Sequence, residues 1–290
     1  MTFLWIIVSI VILSLLLDRG IDKIYAYKIS AHSNTPAKFE IPFEEIQIPT
    51  RDGGHLYGWW IPVSADAPTL ILVHGWSRNV ERMMAYIREL HPQGYNLLVF
   101  DARNHGSSTL TMHPTVGTFT EDILDAVNYV LNSEKITSSV IGLVGLSIGG
   151  GAAIAAAGQD GRIQTVITVG APSDPIKVMS AQFEEKHVPK FIVSFLFGYM
   201  RYRHGIDFNK IAPINHIPNA KAEIMLIHGE NDETIPIDQA EDFLVANPEM
   251  TQLWIAPEKG HSDCHFHPQF WERVSRFLEG SMPTKRNEII

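Results

Sequence analysis

Thr2 to Leu17 (TFLWIIVSIVILSLLL) carries no charged residue, and in this it differs in kind from the rest of the chain. As a helix the run would extend about 24 Å at about 1.5 Å per residue. That is slightly under the roughly 30 Å hydrocarbon core of a bilayer, a gap that local thinning or snorkelling closes. From Tyr25 to about Glu40 the pattern turns polar and aperiodic, with Ser30, Ser33, Asn34, Thr35 and Pro36, and reads as a short tether. Phe43 to Pro49 then alternates as a half-buried strand does, Arg51-Asp52-Gly53-Gly54 is a turn signal, and His55 to Pro62 is an aromatic-rich second strand, so the three predict a hairpin.

Beyond the hairpin the rhythm changes. Thr69 to Val73, Asn96 to Phe100, Val140 to Val144, Thr165 to Val169, Glu223 to Ile227 and Gln252 to Ile255 are short, continuous apolar runs rich in β-branched residues. Strands buried on both faces look like this, and their alternation with helical stretches implies an α/β fold with a mostly parallel sheet of about eight strands flanked by helices. Glu121 to Leu131 is one such helix, apolar at Ile123, Leu124, Val127, Val130 and Leu131. The stretch from Asp174 to Ile211 breaks the alternation with Phe183, Phe191, Phe195, Phe197 and Tyr199, which predicts an inserted helical cap; ordinary core of a long crossover is the competing reading. The expected layout is an anchor over 1–24, a tether over 25–40, one α/β domain over 41–280 with its cap near 174–211, and a tail over 281–290.

Composition narrows the class. A chain of 290 residues with 45% hydrophobic residues has enough apolar side chains for a large core, and a formal charge of −9 without clustered Lys and Arg argues against a nucleic-acid partner. One cysteine, Cys264, excludes an internal disulfide framework and any multi-cysteine zinc site. The apolar N-terminus lacks a basic leader and a small-x-small cleavage site, so an uncleaved membrane anchor is expected rather than a signal peptide. Arg19, Lys23 and Lys28 follow the run and no basic residue precedes it, which by the positive-inside rule puts the body in the cytoplasm; the exported orientation is the alternative.

The chemistry centres on Gly145-Leu146-Ser147-Ile148-Gly149, a G-x-S-x-G between an apolar run and the small-residue run Gly150 to Ala157. Chance produces the pentapeptide often, but a strand before it and a helix after it are the setting of a nucleophile elbow. A serine hydroxyl needs a base and an acid behind that base. Asp232 lies just after one apolar run and His261 just after the next, so Ser147, Asp232 and His261 fall in the chain order such elbows use, each beyond the carboxyl end of a strand.

With these residues the chain resembles the α/β-hydrolase superfamily in its esterase, lipase and serine-peptidase-like branch, and membrane-tethered hydrolases of the monoacylglycerol-lipase-like kind. The resemblance runs from about Ile41 to Leu278 and rests on His74-Gly75-Trp76, Asp101-Ala102-Arg103-Asn104-His105-Gly106-Ser107-Ser108, the elbow, His228-Gly229-Glu230-Asn231-Asp232 and Gly260-His261. Asn104 and His105 depart from the usual D-x-R-G-x-G-x-S. The resemblance implies an oxyanion hole made by the backbone N–H groups of Trp76 and Ile148. It also implies an acyl-enzyme hydrolase of carboxylic esters or thioesters that needs no cofactor and no metal. The cap and anchor point to a hydrophobic acyl substrate, small-molecule or lipid-like. Acyl transfer, peptide cleavage and a silent, membrane-tethered binding protein remain as alternatives.

Other residues have plainer readings. His261, Asp263, His265 and His267 would share a face for a metal ion only in an extended segment. His74 and His228 are expected to fix loops, Asp125 to be a structural acid, and Cys264 to be a bystander. Asp207 is the second choice for the orienting acid. Gly149-Gly150-Gly151 lacks a phosphate-loop lysine and is elbow packing.

Overall fold

The computed structural model describes residues 2–26 and 29–284. Lys28, one of the three charges used for orientation, and the tail from 285 onward lie outside the described residues. Eight strands form one sheet: β1 (Glu44–Pro49), β2 (His55–Ile61), β3 (Thr69–Val73), β4 (Asn96–Phe100), β5 (Ile141–Leu146), β6 (Ile163–Val169), β7 (Glu223–Gly229) and β8 (Thr251–Ala256). Their order is β1-β2-β4-β3-β5-β6-β7-β8. The two hairpin strands pair antiparallel, β2 pairs antiparallel with β4, and every other neighbour is parallel.

Alternate side chains of the central strands supply two cores, as the two-residue period of a strand demands. Ile71, Val73, Leu98 and Phe100 pack with α3 (Val116–Leu131), α4 (Ile148–Ala157) and Phe243 of α8 (Asp238–Ala246) on one face. Leu70, Leu72, Leu97 and Val99 pack with α2 (Met84–Leu90) and α9 (Phe270–Ser281) on the other. Helix α3 begins five residues before its predicted start because Thr115 and Thr118 close a reciprocal capping box at its end.

The region from 174 to 211 forms α5 (Pro175–Glu185), α6 (Lys190–His204) and α7 (Phe208–Ile211). Asp174 caps α5, accepting the Ile176 N–H at 2.8 Å. Of the aromatics on which the expected cap rests, Phe191 is 74% and Phe195 56% exposed, whereas Phe197 and Tyr199 pack against a small buried cluster. α6 buries Val193 and Met200 instead.

Helix α1 (Thr2–Tyr25) extends past the apolar run. Its segment from Leu4 to Lys23 is long and apolar enough to cross a membrane. Ile21 packs with Met200 and Phe208, and the Tyr199 hydroxyl meets Ser14 Oγ at 2.7 Å and Asp18 Oδ1 at 2.7 Å. The polar stretch that follows is docked rather than loose. His32 Nε2 reaches Asp101 Oδ2 at 2.7 Å, the Asn34 N–H donates to Glu81 Oε1 at 2.8 Å, and Asn79 donates to the Ser30 carbonyl at 3.3 Å.

Candidate active site

Parallel register brings the strand ends level. Val73 of β3 faces Gly145 of β5, Gly145 faces Thr168 of β6, Val169 faces Ile227 of β7, and Gly229 faces Ala256 of β8. The residues just beyond these ends therefore share one edge, at the point where the strand order reverses around β3.

Ser147 stands between β5 and α4 with φ 53° and ψ −125°, a conformation that non-glycine residues adopt only when their surroundings enforce it. The glycines allow this turn. A Cβ on Gly149 would lie 2.5 Å from the His74 carbonyl oxygen, and one on Gly145 would collide with the Gly149 backbone. Gly75 approaches from the end of β3, where a Cβ would sit 3.3 Å from that of Ser147.

The three predicted side chains meet in series. His261 Nδ1 lies 2.7 Å from Asp232 Oδ2, and His261 Nε2 lies 2.9 Å from Ser147 Oγ. A carboxylate can only accept, so Nδ1 carries the ring proton and Nε2 is left to accept from the serine hydroxyl. Asp232 also takes the N–H groups of Thr234 and Ile235, each at 2.9 Å, on Oδ1. Burial pushes the Asp232 carboxyl up, but the His261 hydrogen bond and the Ile235 and Thr234 N–H groups outweigh it and hold the group below its ordinary value. Ile148 is the first residue of α4, where an N–H has no acceptor within its own helix.

Gly170 is a site residue that the sequence reading passed over. It follows β6 with φ 62°, and a Cβ there would lie 2.9 Å from His261 Nδ1 and 3.2 Å from Asp232 Oδ2. Its missing side chain is the space the imidazole and carboxylate occupy. A glycine directly after an apolar run, one strand beyond the elbow, is the signal that marks it.

His74, His228 and His105 hold loops. Buried His74 accepts the Ala102 N–H on Nε2 at 3.0 Å and pairs with the Gly75 carbonyl through Nδ1 at 2.7 Å. His228 donates from Nε2 to the Ile235 carbonyl at 2.8 Å, securing the turn that carries Asp232. His105, at the departure from the usual motif, accepts the Ser77 N–H at 3.2 Å and sets its ring edge-on to Trp76 at 5.4 Å. Burial pulls His105 down to about 3, so its ring is neutral at physiological pH. Asp125 pairs with Arg51 at 2.9 Å and Asp207 with Arg201 at 3.3 Å, and neither contacts the imidazole. The Cys264 thiol is pushed up to about 12 by burial. Cys264–Phe266 is a short helical turn, so residues two apart do not share a face there; no cluster of three metal-ligating side chains occurs among the described residues.

A cavity of about 210 Å³ opens beside Ser147, with Trp76, Arg82, Tyr86, Thr234 and His261 in its wall. No residue from 174 to 211 lines it. A larger cavity of about 540 Å³, at the amino ends of β3 and β5 beside Pro68 and Val140, holds none of these groups.

A mostly parallel eight-stranded sheet with a strained serine beyond its fifth strand defines an α/β-hydrolase, and the comparisons agree. Residues 116–279 match the prolyl oligopeptidase family, and the chain belongs to that family. It is a hydrolase of the serine type. Over 292 residues it is 27% identical to the uncharacterized protein YfhR of Salmonella typhimurium, covering 97% of this chain and 96% of that one. A thiohydrolase, aneE, of Aspergillus aculeatus is 30% identical over 160 residues, 54% of this chain and 48% of its own. The Pyrococcus furiosus esterase Pf2001 shares the fold with a TM-score of 0.72 at 24% identity, over 89% of this chain and 100% of that one.

Proposed function

We propose that the protein hydrolyses carboxylic esters or thioesters through an acyl-enzyme on Ser147. The observation that carries this reading is the unbroken series Ser147 Oγ, His261 and Asp232, at 2.9 and 2.7 Å. Ser147 Oγ attacks the acyl carbon while His261 Nε2 takes its proton. Negative charge then develops on the carbonyl oxygen, where the N–H groups of Ile148 and Trp76 receive it. The leaving group departs with the proton from His261, and water repeats the sequence to release the acid. Asp232 keeps the imidazole in the required tautomer and stabilises its charged form.

Labelling with a fluorophosphonate tests the reading. Wild type is expected to take the probe at Ser147 and Ser147→Ala to take none; equal labelling of both would refute the assignment. Peptide cleavage is the second reading, favoured by the family to which the chain belongs. A series of 4-nitrophenyl esters against aminoacyl amides separates the two by relative kcat/KM. We further propose that α1 anchors the body to a membrane on its cytoplasmic side, and digestion of the body by protease added to intact cells would overturn that orientation.

A further inference from the structure

The catalytic cavity contains groups that ester cleavage alone does not require. Arg78, Arg82, Tyr86 and His265 share its wall with Ser147 and His261. Tyr86 is 1% exposed, yet its hydroxyl has no hydrogen-bond partner among the described residues. Buried hydroxyls are almost always paired, so an orphan on a residue that lines a cavity is a donor left over for a ligand. Arg82 lies close enough for its charge to act on both Tyr86 and His265. It donates one N–H to the Ser262 carbonyl at 2.8 Å, and neither Arg82 nor the exposed Arg78 forms an ion pair among the described residues. The acid beside His265 is Asp263, whose Oδ1 is engaged by the Gly260 N–H at 2.7 Å. Asp263 stands behind the wall, which thus carries two arginines and no carboxylate on a chain whose formal charge is −9.

We propose that the wall is a carboxylate subsite, so that the ester hydrolysed at Ser147 bears a carboxylate close to its scissile bond, held by Arg78, Arg82 and the Tyr86 hydroxyl. Guanidinium forks match carboxylate geometry, and a neutral phenol adds a donor the anion can use. At about 210 Å³ the cavity is below the usual range of ligand pockets, roughly 300–1,000 Å³, which suits a short acyl or alkyl chain ending in a compact anion. The subsite rests on the reading of Ser147 as nucleophile, and the experiment keeps the two apart.

Two matched pairs of esters are compared on the full chain: 4-nitrophenyl hemisuccinate against 4-nitrophenyl 4-methylpentanoate, and 4-acetoxybenzoate against its methyl ester. The first pair places the anion in the acyl part and the second in the leaving group. In at least one pair, wild type is expected to favour the anion in kcat/KM despite the acidic chain. That ratio should fall about tenfold or more in Arg82→Gln and further in the double variant with Arg78→Gln. Arg88→Gln, whose guanidinium lies over Phe39, should leave the ratio unchanged. Tyr86→Phe should lower the ratio without lowering the melting temperature, since the hydroxyl it removes is unpaired in the free protein; a loss of both would make the hydroxyl structural and remove it from the subsite. A ratio at or below one in both pairs, or one that survives in the double arginine variant, overturns the proposal. Hydrolysis of neither neutral ester, with no probe on Ser147, would instead defeat the nucleophile reading. Calorimetry of succinate binding to Ser147→Ala, with and without Arg82→Gln, then decides the subsite independently: no difference between the two overturns it.

Discussion

Asp232→Asn removes both the charge and the tautomer control that the proposed mechanism assigns to this residue while leaving the fold its hydrogen bonds. The amide oxygen can still accept the Thr234 and Ile235 N–H groups that hold Oδ1 at 2.9 Å. The amide nitrogen then faces His261 Nδ1 and donates to it, so the ring proton moves to Nε2 and the base toward Ser147 is lost. The charge is lost as well. With the imidazolium and carboxylate centres about 4 Å apart and an effective dielectric of about 20, the interaction is worth about 4 kcal/mol, or roughly a thousandfold in rate. The Asp232 side chain is 1% exposed, so solvent does little to weaken this. Together the effects predict a fall in kcat/KM of about 10³ to 10⁴. The assay is hydrolysis of a 4-nitrophenyl ester between pH 6 and 10, paired with the rate of fluorophosphonate inactivation and a melting curve. Asp207→Asn serves as the control, because Asp207 pairs with Arg201 away from the imidazole. Activity of Asp232→Asn within tenfold of wild type, or a larger loss in Asp207→Asn, would refute the assignment.

Other consequences are quicker to state. Gly149→Ala should destabilise the chain by at least about 1–3 kcal/mol in denaturant unfolding, since its methyl would meet the His74 carbonyl at 2.5 Å. Arg103, 5% exposed, spans Asp52, Glu121 and the fully buried Asp122; Arg103→Ala strands that buried carboxyl and should cost about 3–5 kcal/mol by the same measurement. The hydrogen bond to Asp101 raises the His32 pKa, so this contact contributes stability in full below the ordinary histidine value of about 6.5 and loses it as pH rises through the raised value. The melting-temperature difference between wild type and His32→Gln should therefore shrink from pH 6 to pH 9, and a constant difference would show that the imidazole acts only by packing.

The sheet was legible because its parallel strands are buried on both faces: β3 (Thr69–Val73) and β4 (Asn96–Phe100) are continuous apolar runs whose ends coincide with the structure. The positions of Ser147, Asp232 and His261 were legible for the same reason, since each follows such a run and parallel register brings run ends together. What escaped was whatever depends on which surface meets which. Apolar periodicity says that a face is covered, not by what, and so Phe191 and Phe195 read as part of a helical cap although they stand exposed and line no part of the cavity. Residues 29–35 read as tether because their polarity is matched by Asp101, Glu81 and Asn79, roughly 50 to 70 positions away in the chain and silent about one another until the fold joins them. Arg82 and Tyr86 belong to a turn and a helix laid over the sheet by packing of Met83, Ile87 and Leu90, and no local motif announces that they line the cavity beside Ser147. The order of difficulty follows from this. Backbone position at a strand end is encoded locally and can be read, whereas the groups that would select a substrate are brought in by tertiary packing. The same limit explains why a hydrophobic substrate was the natural expectation from the chain, while the cavity wall, once assembled, presents two guanidiniums and an unpaired hydroxyl.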